Sequence, residues 1–183
     1  MTTKNLSLAT VKQKSKLMDQ TQVHVIENGL YQGEQITFTV LFNDKSIEEL
    51  LTEFGQLLNE ANEKKIEVSQ QMQIHLLYIL IIKHFTHFKK DIPSILLGKG
   101  KSAGMLDTLD HFHKTGLLNE CISSMFLPAE VNKVFNKLTD VAATSLLAMD
   151  LNEEMMKKME QMKIKNKEVF EQLEQINVEN NAQ

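Results

Sequence analysis

In "QITFTV", the apolar residues Ile36, Phe38 and Val40 are separated by Thr37 and Thr39, the two-residue period of a half-buried strand. Upstream, "VHVIE" repeats the alternation through Val23 and Val25. Between these runs stand Asn28-Gly29 and Gln32-Gly33, which can supply positive φ for a tight reversal. The pattern predicts a β-hairpin at about 22–42. A two-stranded hairpin is marginal alone, so it must pack on other elements or pair with another copy of the chain.

From residue 45 the period becomes helical. Ser46 and Glu49 have capping-box spacing, and Ile47, Leu50, Leu51, Phe54, Leu57 and Leu58 then form one apolar stripe. Residues 74–82, "IHLLYILII", are apolar on nearly every face. A central helix at about 67–88, surrounded by others, follows from that character, with Lys89 and Lys90 suited to its C-terminal end. After Pro93 and a glycine-rich stretch, Met105, Leu109 and Phe112 mark an amphipathic helix that Gly116 should stop. Pro128 opens another helix with Val131, Val134, Phe135, Leu138 and Val141 on its apolar face.

The end of the chain has a different rhythm. Met155, Met159, Met162, Asn166, Val169, Leu173 and Ile176 follow one another at alternating spacings of four and three, a heptad seam with a central polar position. The fold class expected is mainly α with a small N-terminal β-hairpin (α+β), a helical bundle body and a C-terminal amphipathic helix. Residues 1–20 read as a mobile arm with room for a short helix, 21–148 as the body, and 149–183 as the Met-rich helix and tail.

Composition narrows the function classes. Of 183 residues, 42% are apolar and 24% charged, so a core of ordinary size can form. The net charge is −4 and all 20 basic residues are Lys. Without Arg there is no bidentate fork for phosphates or base edges, which counts against a specific nucleic-acid reader. No apolar run approaches the ~20 residues of a membrane span, and no signal peptide precedes the first polar stretch. The single Cys121 fits a reducing, cytoplasmic setting.

Candidate chemistry is sparse. "GKGKS" at 98–102 resembles the end of a phosphate-binding loop, but that motif needs a glycine five residues before its terminal Gly-Lys-Ser, and Ile95 stands there. The stretch reads as a solvated linker. His84 and His87 share a helical face and His111 and His113 lie close together, yet they lack the thiolate or carboxylate partners of a zinc site and read as partly exposed helix residues. Cys121 reads as a small buried residue. The carboxylates read as solvent-facing helix surface. No catalytic residue, metal ligand, nucleotide site or cofactor is expected. Four of ten methionines, at 155, 156, 159 and 162, fall within eight residues. Met adapts to varied apolar partners, so Met155, Met159, Met162 and Leu173 are either a core stripe or a partner-binding surface.

The order of the hairpin, "EELLTEFGQLL", "LIIKHFTHFKKDIP", "TGLLNECI" and "PAEVNKVFNKL" resembles the tail assembly chaperones of long-tailed phages and prophages of Gram-positive bacteria. The resemblance covers residues 21–142. Its most telling pieces are Lys83, Phe85 and Thr86 with Ile92-Pro93, then Gly116-Leu117-Leu118 with Pro128, Glu130 and Val131. It implies a non-enzymatic protein of the host cell cytoplasm, absent from the finished virion. Such a protein binds apolar helical segments of the tape measure protein, keeps it soluble, and helps recruit tail tube protein. A homo-oligomer without membrane or specific nucleic-acid partners is expected. The alternative is a small helical regulator or DNA-associated protein, which needs a basic face and would show salt-dependent DNA binding.

Overall fold

The computed structural model describes residues 6–98 and 102–144. The chain divides into two compact units, 1–137 and 138–183. In the second, 138–144 is helical, with Thr144 Oγ1 donating to the Asp140 carbonyl at 2.8 Å. The expected body-to-tail boundary at 148, the heptad seam, and the candidates Met155, Met159, Met162 and Leu173 lie outside the described residues.

The first unit is mainly helical with a two-stranded antiparallel hairpin, as the patterning predicts. Helix α1 (Leu8–Ser15) is capped by the Ser7 hydroxyl and buries nothing. Strands β1 (Thr21–Val25) and β2 (Gln35–Thr39) follow, with Gly29 and Gly33 at φ +89° and +86° in the connection. The register sets His24 opposite Ile36 and Val23 opposite Thr37.

That register corrects the reading of β1. Ile36 and Phe38 are buried, so the residues opposite them, His24 and Gln22, share the inward face. Val23 and Val25 point outward, 55% and 46% exposed. His24 is accommodated because its Nε2 meets Glu120 Oε1 at 2.8 Å.

Helix α2 (Asp44–Glu63) starts earlier than its Ser46-Glu49 spacing suggests. The cap is Asn43, whose side chain accepts from the Ser46 amide at 2.8 Å. Ile47, Leu50, Phe54, Leu57 and Ala61 form its buried stripe. Helix α3 (Gln70–Phe85), capped by Ser69, is the centre of the unit: Leu76, Leu77, Ile79, Leu80, Ile81 and Ile82 are 0–1% exposed. The all-round apolar character of 74–82 required this. Thr86 leaves the helix in extended conformation and caps a 3₁₀ turn, His87–Lys90, that carries Lys89 and Lys90.

Helix α4 (Met105–Lys114) packs on α3. Gly116 stops it in the left-handed region at φ +74°. A short helix α5 (Leu117–Asn119) then widens into a π turn, Glu120–Met125, closed by the Phe126 amide donating to the Cys121 carbonyl at 3.2 Å. Helix α6 begins at 128, as Pro128 predicts, and buries Val131 and Val134. Four phenylalanines weld the ends of these elements together. Phe42 stacks on Phe85 at 3.6 Å, and Phe126 meets Phe42 and Phe38 edge-on at 5.3 and 5.8 Å.

The glycine-rich connection is not the solvated linker its composition suggests, at least along its described flanks. Leu96 is fully buried. The Met105 and Leu106 amides donate to the Ile95 and Leu96 carbonyls at 2.8 and 3.1 Å, so the two ends are pinned together. Glu60 of α2 accepts from the Leu96 amide at 2.8 Å, and that bond, followed by Lys64, holds its carboxyl below the ordinary value despite some desolvation. Gly98 and Gly104 allow the strands of this loop to touch. A Cβ at Gly104 would lie 2.3 Å from the Gly98 nitrogen and 2.7 Å from the Leu96 carbonyl oxygen. Gly104→Ala is therefore expected to lower stability by about 2 kcal/mol or more in urea unfolding. Gly55→Ala, in open space within α2, is expected to raise it by about 0.5–1 kcal/mol. Equal effects at the two positions would refute the close approach.

Candidate functional site

Two polar clusters and one cleft account for most of the chemistry-bearing side chains. The first cluster is built on α2 and α3. Glu53 accepts from Lys83 Nζ at 2.5 Å and from His84 Nε2 at 2.8 Å, and Lys83 also donates to Ser94 Oγ at 2.6 Å. The Lys83 and His84 side chains are 6% exposed and that of Glu53 12%. Burial pushes the Glu53 carboxyl up, but the hydrogen bonds from His84, Lys83 and Ser94 outweigh it and bring it down to about 2. A lysine beside a serine invites a nucleophile–base reading. In the structure Lys83 Nζ donates to both Glu53 and Ser94, the contacts of an anchoring group that ties α2, α3 and the following loop together. With Nε2 engaged by the carboxylate, His84 Nδ1 is left buried without a hydrogen-bond partner among the described residues.

The second cluster centres on Glu130, 5% exposed on α6. Its Oε2 accepts from the Phe42 amide at 2.8 Å and from Lys133 Nζ at 2.7 Å. It ties α6 to the turn between β2 and α2. Both clusters correct the view of the carboxylates as solvent-facing surface: Glu53 and Glu130 are structural anchors.

The histidines are distributed, not gathered. His84 serves Glu53, and His87 Nδ1 accepts from the Thr37 amide at 3.2 Å. His111 bonds back to the Asp107 carbonyl at 2.5 Å, while His113 Nε2 meets His75 Nδ1 at 3.0 Å. Among the described residues no three His, Cys, Asp or Glu could share a metal ion. Cys121 is buried, and burial, with the Glu120 carboxylate, pushes its thiol up to about 12, so it is no nucleophile at neutral pH. No described helix is long and apolar enough to cross a membrane. Gly100 and Lys101 lie outside the described residues.

The His75–His113 pair marks the cleft. On one side is a cavity of about 220 Å³ with walls from Tyr78, Phe112, Leu118 and Ile122 and a rim from Asn119 and Ser123. On the other is one of about 230 Å³ lined by Met72, Leu106, Leu109 and Asp110. Both imidazoles line both hollows. Burial, then the neighbouring His113, keeps the His75 imidazole below its ordinary value and favours its neutral form. The π turn shapes this side of the molecule: Cys121 and Met125 are buried, while Ile122 and Ser123 reach the cleft. Sequence patterning contains no marker for it, since its residues read as an ordinary short helical segment. The cleft offers two adjoining hollows with apolar walls and polar edges, of a size to hold side chains of another molecule.

Comparison with known proteins yields no match among curated proteins and none among solved structures. A family pattern, that of YomO, does match, over residues 8–182. It is a family of the Bacillus phage and prophage type and supports a phage-associated protein. The match takes in the hairpin, the helices that build the cleft and nearly all of the rest of the chain, so this protein belongs to the YomO family.

Proposed function

We propose that the chain is a phage tail assembly chaperone that binds apolar helical segments of the tape measure protein. It keeps that protein soluble and helps recruit tail tube protein, acting in the host cell cytoplasm as a homo-oligomer. The observation that carries this reading is the paired cleft between α3, α4 and the π turn. Two hollows side by side, divided by the His75–His113 pair, suit two apolar side chains from one face of a partner helix. The family's phage association and the resemblance in residues 21–142 support the choice of partner. The seam of Met155, Met159, Met162 and Leu173 supplies a second, adaptable contact. Modest affinity at each contact, repeated by several copies along one long helix, gives coating that yields later to the tail tube.

Co-expression with the tape measure protein tests this. Ile122→Asp puts a charge into an apolar hollow and is expected to cost about 2 kcal/mol of binding, roughly thirtyfold in Kd, with the thermal transition little changed. Met155→Asp combined with Met159→Asp and Met162→Asp is expected to leave more tape measure protein in the insoluble fraction. If both variants keep it as soluble as the parent does, the reading is wrong.

A further inference from the structure

The two edges of the hairpin are not alike. Backbone bonds Val40→Gln20 at 3.2 Å and Ile26→Glu34 at 2.9 Å set the phase of the ladder. With the register of β1 and β2, that phase turns the amides and carbonyls of Gln22 and His24 towards β2. Those of Thr21, Val23 and Val25 therefore point away from the sheet. None of these outward groups has a hydrogen-bond partner among the described residues, and all three residues are exposed. The outer edge of β2 is covered instead: Phe38 bridges to Thr86, and the Thr37 amide donates to His87 Nδ1.

Edges left open on soluble proteins usually carry a lysine, a proline or a bulge that discourages pairing. β1, Thr-Gln-Val-His-Val, has none of these and no fixed charge. Its three outward-bonding positions are symmetric about Val23. Antiparallel pairing of the strand with itself sets Val23 opposite Val23 of the second copy and Thr21 opposite Val25, every pair of the hydrogen-bonded kind. The exposed side chains of Val23 and Val25 then lie in one apolar row across the junction.

We infer that β1 is a self-association edge: two copies of the chain join β1 to β1 about a two-fold axis at Val23, making one four-stranded sheet. The occupant is a second copy because the edge is uncharged and self-complementary, which an isologous contact requires. This also removes the marginality of an isolated two-stranded hairpin. The inference specifies where the copies meet and stands independently of the tape measure reading.

Sedimentation of the full chain tests it. The parent is expected to be dimeric at micromolar concentration, and Val23→Lys to weaken the dimer by about tenfold or more, since like charges then face each other across the axis. Thr37→Lys, on the same face but on the strand with the covered edge, should leave association unchanged. Val23→Cys should cross-link to itself with a short bismaleimide, and Cys121, being buried, should not interfere. A parent that stays monomeric to ~100 μM overturns the inference. So does a dimer that Val23→Lys leaves intact, or one in which Val23→Cys fails to cross-link, because each places the contact elsewhere or denies it. Capture of a different protein's strand at an edge that does not self-pair likewise overturns it.

Discussion

Leu77→Asp is expected to abolish cooperative folding. Leu77 is 1% exposed on α3, in a run where Leu76, Ile79, Leu80, Ile81 and Ile82 are 0% exposed. α2 and α4 both pack on this helix. The substitution removes the packing of a buried leucine and places a carboxylate within the buried apolar run of α3. The lost burial contributes about 2–5 kcal/mol, and the unpaired polar group adds several more. Together these match the whole stability of a typical domain, about 5–15 kcal/mol. Circular dichroism should show no sigmoidal thermal transition at neutral pH. A variant that melts cooperatively within a few degrees of the parent would show that α3 is peripheral.

The second large effect belongs to Glu53. Glu53→Gln keeps the shape of the side chain but leaves the Lys83 ammonium, with a side chain 6% exposed, without its counter-charge. Breaking a buried pair by removing one partner costs about 3–5 kcal/mol. Replacing both partners, as in Glu53→Leu with Lys83→Met, is expected to cost less than either single change. The same pair predicts an acid limb. Glu53 titrates at about 2 in the folded protein against an ordinary value of 4.5, so the folded state binds fewer protons than the unfolded chain between those values. The stabilisation is complete above about pH 5 and is lost as pH falls towards 2, amounting to about 3 kcal/mol. Urea unfolding at a series of pH values should show this loss in the parent and not in Glu53→Gln. Matching pH profiles for the two proteins would remove Glu53 from the account.

The residues that carry the family-like motifs have a physical role in common. Lys83, Thr86 and Glu130 are the buried polar or charged residues among those described. Lys83 pairs with Glu53, Thr86 caps the 3₁₀ turn and bridges to β2, and Glu130 holds the Phe42 amide. Each joins two elements that are distant in sequence. They punctuate the fold.

The sequence by itself determined the elements and their order. Alternation at 36–40 marked β2, the apolar stripe at 47–58 marked α2, and the unbroken run at 74–82 demanded a central helix. Gly116 and Pro128 set a stop and a start that depend only on local backbone sterics. Those features are local, and local chemistry settles them. Lys83 stands inside "YILIIKHF", but nothing local says that it is buried or that Glu53, thirty residues earlier, is its partner. Only the tertiary structure decided such pairings, because ion-pair partners are chosen by how helices pack. It also decided which face of β1 looks inward. Val-His-Val is too weakly amphipathic to orient itself, so pairing with the strongly apolar Ile36 and Phe38 turns His24 in and the valines out. The π turn at 120–125 has the same origin. Its wider spacing brings Phe126 to Phe38 and Phe42 while Cys121 stays buried, a long-range demand that overrides the local preference for an α-helix.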